Sequence, residues 1–227
     1  MQTDKKISLN FGALSTLNDI QNNLTQSIDP PRHILLPLVE KLNQGSVNEV
    51  LDKSQALSKK YHQSIHIWNL IGSAAFKKYN FNLAETAFKN VVSLSSKDPT
   101  AFANLGKVQQ KLANAKDAVA SFQESINLNP RVDDSWFNLG LSFASLGDHS
   151  SAIGAYQKTI ELNPTHHGAL VALAAKLREF NHFHEAINLL KKATQIKEND
   201  VKCWLELGLN FQQIGENNNA LMAHHRA

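Results

Sequence analysis

Along residues 65–227 the apolar positions fall in two interleaved stripes, each with the three-and-four spacing of a helix face, and the pattern repeats every 34 residues. A large side chain opens each unit at Trp68, Phe102, Trp136, Leu170 and Trp204. Ile71, Leu105, Leu139, Leu173 and Leu207 follow, each succeeded at once by a small residue: Gly72, Gly106, Gly140, Ala174 and Gly208. The second stripe starts at Ala84, Ala118, Ala152, Ala186 and Ala220 and continues four residues on with Phe88, Phe122, Tyr156, Leu190 and His224. Each unit therefore predicts two helices. Asn114, Gly147-Asp148, Asn181 and Gly215-Glu216 mark a reversal between them. Asn129-Pro130 and Asn163-Pro164 end the second helix, because proline restricts the residue before it and donates no hydrogen bond. Glycine costs about 1 kcal/mol in a helix interior relative to alanine. Its recurrence predicts a close helix crossing, with the Trp, Phe or Leu of the same unit filling the space beside it. Asp133 and Asp134 lie where carboxylates favour the positive end of the next helix.

The columns divide the chain into windows 65–98, 99–132, 133–166 and 167–200 and an incomplete one at 201–227. Residues 31–64 read as a divergent unit or cap, with Ile34, Leu38, Gly45, Val50 and Leu57 near the columns but Pro37 inside the first helix. Residues 1–30 read as a flanking segment, partly disordered or, over Leu14 to Ile28, marginally helical. Such a stack predicts one elongated domain, not a globule around one centre.

The motif Trp136-x-x-Leu139-Gly140-x-x-Phe143, followed by Gly147, Ala152, Tyr156 and Pro164, resembles the tetratricopeptide repeat family, and Phe102, Leu105, Gly106, Ala118, Phe122 and Pro130 repeat its skeleton. The resemblance implies an all-α fold: an α-solenoid of antiparallel helix pairs stacked into a right-handed superhelix. It also implies that the first helices line a concave groove that binds a peptide or partner protein, in a scaffold that is not itself an enzyme. Carried onto this chain, the family's groove positions are Asn104, Lys107, Gln110 and Lys111; then Phe137, Asn138, Leu141 and Ser145; then Val171, Arg178 and Glu179; and finally Lys202, Leu205, Glu206, Leu209, Gln212 and Gln213. This map is polar and basic early and apolar later. Asn104 and Asn138 share a column, similar to the asparagine ladder of O-linked N-acetylglucosamine transferases, while the column reads Leu70, Ala172 and Glu206 elsewhere. The Lys and Asn pattern of the family's carboxylate clamp is missing. Lys107, Lys111 and Arg178 would attract an acidic partner segment by charge.

Composition narrows the function classes. Lys and Arg total 23 against 20 Asp and Glu, a net charge of +3 with no concentrated basic field, so nucleic acid is not indicated. Cys203 is the single cysteine and no apolar run reaches membrane length, so a cytoplasmic, membrane-free location is expected. His166-His167, His182, His184 and His224-His225 lack the converging spacing of a metal site, and no phosphate-binding loop or cofactor motif occurs. No metal, cofactor or catalytic residue is expected. The chain stops inside the second helix of its last unit, which reads as the N-terminal part of a longer protein. Arrays of this family in longer bacterial proteins precede a sulfotransferase, a glycosyltransferase or a 2-oxoglutarate iron oxygenase. The alternative to a scaffold is therefore a substrate-recruiting arm whose enzyme lies beyond residue 227.

Overall fold

The computed structural model describes residues 28–227, and every regular element among them is an α-helix. The reading of a marginal helix from Leu14 falls, up to residue 27, outside the described residues. The chain divides at Pro130 into two units. Within the first lie α1 (Arg32–Asn43), α2 (Val47–Ser58), α3 (Ile65–Lys77), α4 (Phe81–Leu94), α5 (Pro99–Lys111) and α6 (Ala115–Leu128). Within the second lie α7 (Asp133–Ser145), α8 (His149–Leu162), α9 (His167–Glu179), α10 (Phe183–Ile196), α11 (Val201–Gln213) and α12 (Asn217–Arg226). Each pair in a stack packs on its neighbours; one buried cluster lies within the first unit, and two lie within the second.

The first helices from α3 onward start at Ile65, Pro99, Asp133, His167 and Val201, steps of 34 residues. The residue before four of these five starts caps its helix with a side chain. Ser64 Oγ accepts from Ile67 N, Asp98 Oδ1 from Thr100 N, and Asp200 Oδ1 from Lys202 N and Cys203 N. His166 does the same through Nδ1, which accepts from Ala169 N at 3.0 Å. Val132 has no capping side chain, and there Asp133 and Asp134 occupy the first turn of α7, where negative charge meets the positive helix end.

Helices within each pair pack antiparallel through the small-residue column, but the filler differs from the expected one. A Cβ added to Gly72 would stand 2.8 Å from Phe88 Cζ, one on Gly106 2.8 Å from Phe122 Cζ, and one on Gly140 2.5 Å from Tyr156 Cε1. At Gly208 the imidazole of His224 takes the same place, 2.5 Å away. A ring sixteen residues downstream, on the second helix, thus occupies the space above each glycine. Where that residue is the shorter Leu190, the first helix carries Ala174, and both are fully buried. The tryptophans do not fill the crossing. Trp68, Trp136 and Trp204 are half-buried, and the indole N–H groups of Trp68 and Trp204 donate to the carbonyls of His62 and Glu198 at 2.8 and 2.6 Å. An indole N–H needs an acceptor, which holds these rings at the rim of the core.

The turns joining the helices of a pair share another feature. Tyr79, Ala113, Gly147, Asn181 and Gly215, again 34 apart, all take positive φ, from 59° to 78°. Only glycine does so without steric cost. Ala113→Gly is expected to raise stability by roughly 0.5–1 kcal/mol, the relief of left-handed strain exceeding the added chain entropy. A denaturant midpoint that falls would contradict it.

Candidate partner-binding surface

The two units present different chemistry on their first helices. In the first unit, α3 and α5 carry Lys77, Lys107 and Lys111 and no acidic residue, a balance of +3. Lys77 Nζ donates to the Leu42 carbonyl at 2.8 Å, which ties its charge to the C-terminal end of α1. Lys111 is exposed, and Lys107 and Gln110 are half-buried. Asn104, on the same helix, is only 5% exposed, and its Oδ1 has no hydrogen-bond partner. A buried acceptor in that state costs about 1–3 kcal/mol.

In the second unit, α7, α9 and α11 carry Lys176, Arg178 and Lys202 against Asp133, Asp134, Glu179 and Glu206, a balance of −1. Arg178 Nε lies 3.1 Å from Glu206 Oε2, an ion pair joining α9 to α11, and Lys176 Nζ lies 2.8 Å from Glu179. Phe137 is half-buried, its ring centroid 4.6 Å from that of His166 and 6.0 Å from that of Tyr156. Asn138 is half-buried, and its Nδ2 donates to the Asp134 carbonyl one turn back at 2.7 Å. Leu141 is half-buried, Val171 is 7% exposed and belongs to the core, and Leu205 and Leu209 are 44% and 38% exposed. Gln212 is exposed.

The structure thus separates residues that share a column in the sequence. Asn104 is sealed with an unmet acceptor, while Asn138 is half-buried and donates to the Asp134 carbonyl. The Arg178–Glu206 pair spans 28 residues, and the aligned positions one repeat earlier hold Ala144 and Ala172, so periodicity gave no signal for it. Reasoning from the sequence also passed over a cleft of about 410 Å³ between α1 and α2, walled by Ile34, Pro37, Leu38 and Leu57 with Lys41 and Lys53 at its rim. Both lysines bind the Glu49 carboxylate and hold it at about 2, well below the usual range.

The other candidate groups are occupied structurally. His166 Nε2 faces Asp134 at 3.5 Å and His167 Nε2 faces Asp200 at 3.6 Å. His182 and His184 are exposed at the turn into α10. Among the described residues no three His, Cys, Asp or Glu side chains converge as a metal site. Cys203 is fully buried, its Sγ 3.6 Å from the Leu190 carbonyl, and burial, with Asp200 and Glu206 adding to it, pushes the thiol up to about 12. Among the described residues no helix is long and apolar enough to cross a membrane.

Sequence profiles of the tetratricopeptide repeat match residues 99–132 and 134–166. The chain carries tetratricopeptide repeats. The profile matches fall on the pairs α5–α6 and α7–α8, where the Gly106–Phe122 and Gly140–Tyr156 crossings lie. Solved structures of the same fold include MamA, at 22% identity and a TM-score of 0.64 over 69% of this chain and 91% of that one. PilF of Pseudomonas aeruginosa is similar over 83% of this chain and 86% of its own, at 14% identity with a TM-score of 0.74. YrrB, described as a tetratricopeptide repeat protein with an unusual peptide-binding site, is similar over 76% and 89% at 16% identity, with a TM-score of 0.63. No curated protein matches the chain by sequence.

Proposed function

We propose that this tetratricopeptide repeat chain is a non-catalytic scaffold whose first-helix faces hold a peptide or a partner protein. The observation that carries this reading is Asn104. The residue is 5% exposed and its side-chain carbonyl oxygen is buried and unpartnered, on the helix that presents Lys107, Gln110 and Lys111. A turn of the Asn104 side chain toward the helix face would bring that acceptor to a backbone N–H of a bound extended segment and recover the lost hydrogen bond, while leaving the segment's side chains to be read by neighbours. In the second unit Phe137, Asn138, Leu141, Arg178, Leu205 and Gln212 would form the corresponding surface, with Val171 supporting it from the core. That YrrB is described as having a peptide-binding site supports the reading by analogy of fold.

The test is a peptide array probed with the labelled protein, followed by anisotropy titration of the best binder. Asn104→Ala is expected to weaken that binder about 5- to 10-fold, the worth of one hydrogen bond to a sealed group. The thermal midpoint should hold or rise, since the substitution removes an unmet acceptor. An unchanged Kd would remove Asn104 from the site and with it the basis of the reading.

A further inference from the structure

We infer that the second unit takes an uncharged, leucine-bearing segment and does not recruit an acidic one; this rests on the first-helix reading above and adds the partner's chemistry. Acidic recruitment requires uncompensated positive charge, and α7, α9 and α11 have none in surplus. Their two central cations are held within the unit, Arg178 by Glu206 on the neighbouring first helix and Lys176 by Glu179 on its own. Displacing Glu206 with a ligand carboxylate would exchange one ion pair for another and leave a carboxylate that is 15% exposed without its partner, a net cost.

The apolar side is the opposite case. Leu209 is 38% exposed and shares its column with Ala175 and Leu141, both half-buried, and Ala172 lies one turn before Ala175 on α9. By column, Ala172 and Ala175 of α9 stand between Leu141 of α7 and Leu209 of α11, small side chains flanked by larger apolar ones, which makes this first-helix face a shallow apolar floor. Such a floor accepts branched aliphatic side chains and offers a charged one nothing to pair with. The neutralised rim sets the sign of the partner, and the floor sets its size.

The experiment uses the full chain and two fluorescein-labelled peptides of equal length. One alternates leucine with serine and glycine; in the other the leucines are glutamates. The leucine peptide is expected to bind, with a Kd that shifts less than about two-fold between low and high salt, because apolar burial is not screened. Leu209→Ser should weaken it about ten-fold, the loss of one buried aliphatic side chain. Ala175→Glu, which puts charge on the floor without shortening any side chain, should do the same with an unchanged melting curve. Preferential binding of the glutamate peptide, lost in Arg178→Ala and in high salt, would overturn the inference while leaving the first-helix surface standing. Binding of neither peptide, or binding insensitive to both floor substitutions, would overturn the inference and, for this unit, the surface itself.

Discussion

Gly140→Leu should lower the stability of the protein by an amount at or above the upper end of the ~1–3 kcal/mol range for overpacked cores. A Cβ at this position would already stand 2.5 Å from Tyr156 Cε1 and 2.7 Å from Cδ1, inside any tolerated contact. The ring cannot move aside easily, because Tyr156 is 2% exposed and lies in a cluster with Ala152 and Leu173. The leucine's three heavy atoms beyond Cβ must then part α7 from α8. Denaturant unfolding followed by circular dichroism checks this, and a midpoint equal to that of the wild type would refute the crossing geometry. The double substitution Gly140→Ala with Tyr156→Leu is the internal control. It reproduces the Ala174 and Leu190 combination and should recover most of the loss that Gly140→Ala alone incurs.

Phe122→Ala approaches the same contact from the other side and should cost about 3–5 kcal/mol, the usual range for deleting a buried phenyl ring. Phe122 is fully buried, and its ring edge covers Gly106, so the glycine offers no side chain to collapse into the void. The neighbouring Ala118 is equally buried and too short to fill it. Urea titration measures the loss, and a change under about 1 kcal/mol would mean that the pair had repacked, contrary to the rigidity expected of a close-packed interior.

These two contacts show where the sequence could be read and where it could not. The helix pairs were legible because a packing contact repeated every 34 residues leaves its trace in each unit, and five alanines in one column do not arise without a shared constraint. The partner of each glycine was not. Periodicity says which residues lie on one stripe, but not which residue of the facing stripe reaches it. The assignment to Trp136 failed because an indole must satisfy its N–H and stays at the rim, as Trp68 and Trp204 show, while Tyr156 on the second helix enters the gap.

The candidate surface was less legible still, for a related reason. Function on such a scaffold lies in what differs between units, and a difference has no period. Asn104 and Asn138 occupy one column, yet one is sealed with an unmet acceptor and the other bonds to the Asp134 carbonyl. Arg178 reads in the sequence as a cation available to a partner. Glu206 cancels it, and that pairing depends on two side chains reaching across from α9 to α11.

Cys203 has a consequence of another kind. It is the single sulfhydryl in the chain, it is fully buried where α11 meets α10, and its proton is held up to about 12. Thiol reagents attack the thiolate, so the native state gives them almost nothing to attack, and the reaction proceeds only in the moments when α11 has parted from its neighbour. The last helix pair therefore carries its own clock: the rate at which this one sulfur is modified counts the openings of that end of the molecule, with no probe added to it.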